Sequence, residues 1–353
     1  MTAPSVTMKR ASEDTARAKN MQEALAGYGF ISPALAVIVV FIFVPMIFAF
    51  IISFTDWTGL KPVNEAQWNN FDNYRKLLFE DHPNRDDFSR ALKNTAYYAL
   101  GVVPTQTALS LLLAVIVNQK FLRFRGFFRT AFYFPSITSA VVIGTIFLWL
   151  FNRDGIINRL LIGISGGSYR PVTWLNDLNG VIHNVFKVFG LTLQTAPPWM
   201  RQTEIFGQSI WQWLSGPSVS MLAIMILAIW TTSGTLMLIF LAALQDIPTQ
   251  LYEAASVDGA NRWQQFRRVT LPLLRPTTFF VVTIGLIGTF QVFDQIYVIS
   301  SGAPAGTTVT IAYLVYTTSR GAASQSAATA FMLFVIIMFF TLIQRRLMGS
   351  RSW

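Results

Sequence analysis

Residues 252–276 read YEAASVDGANRWQQFRRVTLPLLRP and separate two long apolar runs, a polar island between stretches of membrane character. Tyr252 to Val257 is a run of good helix formers in which Ala254 and Ala255 leave one face almost without bulk, so that another backbone can approach it. Asp258-Gly259 reads as a break, because glycine takes the positive φ that a tight reversal between two helices requires. A second helix is expected from Asn261 to Val269, with Trp263 and Phe266 three apart on one face and Arg262, Arg267 and Arg268 around them. Leu271-Pro272 and Pro276 are expected to stop it. The stretch is a helix-turn-helix on a membrane surface, offering a small-residue face and an aromatic face for docking. A mere headgroup tether would use the arginines but needs neither the Ala-Ala pair nor the Asp-Gly break.

The rest of the chain fits that setting. Of its 353 residues, 53% are hydrophobic and 12% charged, too apolar for an ordinary soluble domain. There is no cysteine, and the two histidines, His82 and His183, lie far apart, so disulfide, thiolate and clustered metal chemistry are all set aside. Residues 1–27 form a polar tail expected on the cytosolic side. Six apolar spans follow: Tyr28 to Phe54, with a kink expected at Pro45; Asn94 to Val117; about Phe127 to Phe151; roughly Val219 to Leu244; about Thr277 to Ile299; and Ala322 to Ile343. Between them lie an acidic outer loop (55–93), a long outer loop (152–218), the central loop (245–276) and a short Gly/Ala/Thr-rich loop before the last span. Residues 94–346 form the membrane core, and 347–353 a second cytosolic tail.

Charge sets the orientation. The tail, the 118–129 connector, the central loop and the C-terminus carry 15 of the 27 Lys and Arg in short segments, and the connector holds Lys120, Arg123, Arg125 and Arg129 without an acid. The longer opposite loops hold ten of the 17 acids. Basic residues gather on the cytoplasmic side, which gives N-in and C-in and leaves the net charge of +10 without need of nucleic acid.

Glu253-Ala254-Ala255, Asp258-Gly259-Ala260, Phe266, Leu271-Pro272 and Pro276 resemble the EAA loop of ATP-binding-cassette importer permeases. Other landmarks resemble the carbohydrate-uptake, maltose-type branch of that family: SFTDW from Ser53, FDNYRKLL from Phe71, LKNTAYYALGVVP from Leu92, FFRTAFYFP from Phe127, LAALQDIP from Leu241 and FQVFDQIYVI from Phe290. The resemblance implies an all-α polytopic membrane protein with six transmembrane helices, of the type I importer kind, in a bacterial or archaeal cell membrane. It also implies a second homologous permease subunit, a cytosolic ATPase dimer that carries ATP and Mg, an extracytoplasmic solute-binding protein and a sugar substrate. The loop from Glu253 to Pro272 would seat in a cleft on the ATPase. The chain departs from the family pattern at Ser301-Gly302-Ala303-Pro304, which keeps only part of a Gly-Gly-Pro turn. About forty residues from Asn176 read as an insertion.

Asp294 is the one ionisable residue expected inside a span, and such residues are functional candidates by default. Gln291 and Asp294 are expected on one helix face near Phe290, Phe293 and Tyr297, a mixture suited to a sugar's hydroxyls and flat apolar face. Thr232 and Thr235 belong to a hydroxyl-rich turn of the fourth span, where packing is the competing role. The chain has no Gly-Lys dipeptide, hence no P-loop, and binds no cofactor of its own on this reading. An importer of glycerol-phosphate or another small polar solute would favour basic residues in the spans, and an ion-coupled secondary transporter would favour several intramembrane acids or broken helices together with visible internal repeats. A membrane enzyme would need a motif such as HExxH or a histidine within a span, and a scaffold would not need the docking loop.

Overall fold

The computed structural model describes residues 5–119 and 122–348, with side chains from Lys19 onward. Lys120, residues 1–4 and the last part of the C-terminal tail (349–353) lie outside the described residues. The fold is all-helical apart from one two-residue hairpin, Glu204–Ile205 with Gln208–Ser209. Among the described residues, four helices are long and apolar enough to cross a bilayer, and the count rises to six if two bent pairs each make one span.

A helix begins at Ser5 and continues without interruption as α1 (Lys19–Ile52), so the expected boundary at Tyr28 is a change of composition and not of backbone. The effect of Pro45 is a π-turn at Val39–Phe43, in which the Val44 N–H bonds to the Val39 carbonyl. The same device recurs at Phe266–Thr270, two residues ahead of Pro272, where the Leu271 N–H bonds to the Phe266 carbonyl. A proline lacks the N–H that would close the next turn, and the wider i→i+5 turn carries the helix past that gap.

The core is a three-helix contact. The second span is longer than its apolar stretch: α2 (Pro83–Asn118) starts eleven residues before Asn94, capped by His82, whose Nδ1 accepts from the Asn84 N–H at 3.2 Å. Against it runs α5 (Val219–Gln245), started by Ser218 Oγ accepting from the Met221 N–H. Tyr98, Val102, Met221 and Ile224 interlock at one end, and Val117, Met237, Phe240 and Leu244 at the other. The third expected span is two helices, α3 (Arg125–Ile137) and α4 (Ala140–Leu150), bent by 96°. Gly234 of α5 meets this broken pair: a Cβ there would stand 2.1 Å from the Phe132 carbonyl oxygen, so only glycine permits the contact.

The central loop is α6 (Thr249–Val257), a turn at Asp258–Gly259, and α7 (Arg262–Leu273), which contains the second π-turn. Leu271-Pro272 therefore does not stop the second helix. It ends at Leu274, and α8 (Arg275–Phe290) leaves at 65° with Pro276 in its first turn, where a missing N–H costs nothing. The fifth expected span also breaks, at Gln291–Phe293, before a short helix α9 (Asp294–Ile299). The loop before the last span holds a further helix, α10 (Ile311–Thr318), and α11 (Ala323–Met348) completes the fold. The long outer loop folds into short helices with its own apolar cluster of Ala196, Met200 and Trp211.

The segments SFTDW and FDNYRKLL fasten one end of the bundle. Asn73, buried, donates from Nδ2 to the Ser53 and Thr55 carbonyls at 2.9 and 2.8 Å, and Tyr74 pairs its hydroxyl with Ser53 Oγ at 2.7 Å. Ser324 at the start of α11 reaches both Thr55 Oγ1 and the Trp57 carbonyl. This clasp ties α1 to α11; otherwise α1 is almost unburied, with Phe30, Phe41 and Ile47 exposed. Removing a buried donor orphans its acceptors at a cost of about 1–3 kcal/mol. Asn73→Ala is accordingly expected to lower the midpoint of thermal unfolding in detergent, whereas Asn64→Ala, at an exposed position, leaves it unchanged.

Candidate functional site

Two features stand out: a cavity among the central helices and the exposed central loop. The cavity, about 390 Å³, lies between α2, the α3–α4 break, α5 and α8. Its walls are mainly apolar, from Val102, Ile143, Leu227, Leu236, Ile284 and Val292, with a few polar groups set into them. Gln106 of α2 is buried, and its Oε1 accepts from Thr232 Oγ1 at 2.6 Å across the helix pair. Thr232 also bonds back to the Ala228 carbonyl. Thr235, Ser136, Thr289 and Gln295 supply further hydroxyl and amide groups. Close approach of α8 depends on Gly285, where a Cβ would lie 2.5 Å from Gln106 Nε2.

Among the described residues, no Asp, Glu, Lys, Arg or His lines this cavity. Of the residues expected on a substrate path, Thr232 and Thr235 are on its wall, while Gln291, Asp294 and Tyr297 are not. Gln291 ends α8 and Asp294 begins α9, with Phe293 at φ −134° and ψ −55° between them, so the two do not share a helix face. Asp294 is exposed in the first turn of its helix. Tyr297 joins an aromatic group at the end of the bundle, 5.5 Å from the Phe293 ring and 5.4 Å from that of Tyr316. Gln106 is a cavity group that sequence reading passed over: an uncharged amide in a span carries no hydropathy signal, and only the spacing of Gln106 and Ser110 on one face hinted at it.

The central loop presents the expected residues in the expected order. Gly259 has φ +78°, the left-handed conformation that makes the reversal, with nothing within 4 Å of a Cβ placed there. Asn261 opens α7 with a reciprocal cap: its side chain accepts from the Gln264 N–H and the Gln264 side chain accepts from the Asn261 N–H. Trp263 and Phe266 stack at 5.6 Å on one face. Tyr252 and Thr270 share a hydrogen bond of 3.0 Å, and Gln265 Nε2 donates to Ser256 Oγ, so the two arms are locked together. The tip is bare: Val257 is 88% exposed and Trp263 66%. Glu253, Ala255 and Ala260 are on or near this surface, whereas Leu271 and Pro272 lie at its root, close to the bend at Leu274.

These features define a multi-pass helical membrane protein with a mainly apolar cavity that carries a few polar groups, and an exposed helix-turn-helix between two of its apolar helices. The family model described as "Binding-protein-dependent transport system inner membrane component" matches residues 106–350, and the chain belongs to that family. It is a permease component of a binding-protein-dependent transport system in the inner membrane. Its relatives include the arabinooligosaccharides transport system permease protein AraP of Bacillus subtilis (strain 168), 30% identical over 92% of this chain and 89% of the relative. The lactose transport system permease protein LacF of Rhizobium radiobacter is 30% identical over 82% of each chain. A solved bacterial ABC transporter involved in the import of the acidic polysaccharide alginate shares the fold, with a TM-score of 0.65 and 23% identity over 93% of this chain and 98% of that one.

The Thr232–Gln106 bond spans the cavity wall, and its loss frees a buried amide oxygen without changing side-chain volume much. Thr232→Val is expected to weaken substrate uptake through a raised half-saturation concentration, with the assembled protein still recovered in normal yield; unchanged uptake kinetics would remove Thr232 from the path.

Proposed function

We propose that the chain is one of two different membrane-spanning subunits of an ATP-driven, binding-protein-dependent importer of neutral sugars, N-in and C-in, with six spans. The observation that carries this reading is the continuity between the docking loop and the cavity. α5 lines the cavity with Thr231, Thr232 and Thr235 and ends at Gln245, four residues before α6. α7 leads through the bend at Leu274 into α8, which lines the opposite wall with Ile284, Gly285 and Thr289. A partner that grips Glu253 to Phe266 therefore holds the ends of two cavity walls at once.

ATP binding would close two cytosolic ATPase subunits, and each would draw its docking loop with it. The loop is braced by the Tyr252–Thr270 and Gln265–Ser256 bonds, so it moves as a body and draws α8 and the interlocked α2–α5 pair with it against the rest. That motion exchanges inward and outward access around the cavity. ATP and Mg stay on the ATPase. Glu253, Ala254, Ala255, Asp258, Gly259, Ala260, Phe266, Leu271 and Pro272 are the coupling residues on this reading: the small ones admit the partner's backbone, Phe266 and its stacked neighbour Trp263 fill a pocket, and Leu271-Pro272 fixes the lever. An extracytoplasmic binding protein delivers the substrate to the outer loops.

The sugar preference follows from the cavity's chemistry. Amides and hydroxyls from Gln106, Thr232, Thr235 and Gln295 can exchange hydrogen bonds with a polyol, and apolar walls exclude water around it. A phosphate ester would meet no cation there. Names of relatives with arabinooligosaccharide and lactose transport support the same substrate class. Asp294, Gln291 and Tyr297 fit a place nearer the outer mouth of the path.

The test is ATP hydrolysis by the complex in lipid with its binding protein and a panel of sugars. Wild type is expected to be stimulated by one sugar. Gly259→Pro, which forces φ to about −65° where the turn has +78°, is expected to abolish stimulation and release the ATPase subunit. Trp263→Ala removes an exposed aromatic anchor and is expected to weaken ATPase association by ~2 kcal/mol, the scale of an interface hot spot. Wild-type behaviour in both variants would refute coupling through this loop.

A further inference from the structure

A second cavity, of about 410 Å³, opens on the outer side between the first turns of α2 and the folded long loop, with residues 305–307 as its third wall. Its chemistry is opposite to that of the central cavity. Arg90, Lys93, His183 and Lys187 line it, and no Asp or Glu does. Two independent segments meet here: Arg90 and Lys93 stand one turn apart on α2, and His183 and Lys187 one turn apart on the helix Val181–Val188 of the long loop. Like charges converging across a cleft repel, and surfaces rarely hold them together without a counter-ion.

The four side chains are not consumed by internal pairing. Lys93 Nζ donates to the Gln212 carbonyl at 3.3 Å, and neither Lys93 nor Lys187 has a carboxylate partner among the described residues. Arg90 reaches Asp87 only at 3.8 Å, while its guanidinium lies against Gly306, where a Cβ would stand 2.8 Å from Nη1. His183 is stacked on Trp211 at 4.2 Å with Nε2 3.0 Å from the Trp211 carbonyl, which fixes the ring against the loop's own core. Burial lowers the pKa of His183, and burial with Arg90 beside it brings Lys93 down to about 8, so Lys93 still carries its proton near neutral pH. The walls are held in place: Gly180 and Gly216 bring the backbone at Ser215 and Ile182 into contact, and Asn94 Nδ2 donates to the Gly306 and Val309 carbonyls.

We propose that this cleft is an outer binding site for a small carboxylate-bearing sugar, with Lys93 and Lys187 gripping the carboxylate from opposite walls. The volume suits one or two sugar rings. Charge-assisted hydrogen bonds from two ammonium groups would select the acid over the neutral sugar. Such a site, built largely by the long loop, lets the outer face respond to an acidic saccharide that the uncharged central cavity does not itself select. The inference does not depend on ATP coupling.

Direct binding of D-glucuronate, D-glucose and acetate to the full-length permease in nanodiscs, without nucleotide, tests it by calorimetry at low ionic strength. Glucuronate is expected to bind saturably, acetate to compete with it, and glucose not to bind at this site. Lys187→Gln, on an exposed position of the loop helix, is expected to weaken glucuronate about tenfold, the loss of one charge-assisted contact. Lys93→Gln should do the same and Lys93→Arg should retain binding, while Lys61→Gln on the first outer loop changes nothing. Absence of saturable glucuronate binding, equal binding of glucose, or an undiminished affinity in both glutamine variants would overturn the proposal. None of those results bears on the docking loop, whose failure would show only in the ATPase assay.

Discussion

Backbone groups that leave a helix inside an apolar layer have no water to turn to, so each must be answered from within the protein. This chain interrupts two of its apolar stretches, and side chains both from the same segment and from neighbouring helices bond the backbone around the breaks. At the α8–α9 break, Thr310 Oγ1 donates to the Val292 carbonyl at 2.9 Å, and at the start of α10 Thr95 of α2 accepts from the Ile311 N–H at 3.0 Å. Asn94 and Tyr313 satisfy the carbonyls of Gly306, Val309 and Ser301 in the loop that follows. At the α3–α4 break, Ser136 donates to the Thr231 carbonyl and Thr138 to that of Phe134. The breaks are consequently fixed features, and the space they open beside α2 and α5 is the polar cavity.

The arrangement separates a rigid part from a movable one. The α2–α5 seam is buried along its length, and close contacts at Gly234 and Gly285 leave no slack for larger side chains. The loop proposed to dock, in contrast, is exposed at its tip and stiffened internally by the Asn261–Gln264 cap and the Tyr252–Thr270 bond. A stiff element on two hinges transmits displacement with little loss. The hinges lie at the turn after Gln245 and at Leu274, where the proline at 276 already removes one helical bond.

What the sequence reveals follows the range of the interactions. The docking loop was readable because its determinants are local: Gly259 for the reversal, Asn261 for the start of α7, and Trp263 with Phe266 for one face. Composition likewise marked the apolar spans and their order. The helix breaks were not readable, because the few polar residues within 127–151 and 277–299 do not by themselves stop a helix, and partners such as the Thr231 carbonyl and Thr310 come from elsewhere in the chain. That is also why Gln291 and Asp294 fail to share a face. Pro272 misled in the other direction: a local rule expects a stop, and the π-turn at Phe266–Thr270 carries the helix past it. Gln106 and the basic cleft required tertiary structure, since each gains its meaning from a partner more than ninety residues away.

The central claim is that the tip of the loop seats directly on a cytosolic ATPase, and the absence of native cysteine makes it accessible to a single-thiol measurement. Val257→Cys places the only thiol of the chain on the exposed tip, and Leu60→Cys places it on the exposed outer end as a reference. After reconstitution with the ATPase subunit, a short thiol-to-amine cross-linker should join the two chains through residue 257 and not through residue 60. No adduct at 257, or equal adducts from both positions, would contradict the account.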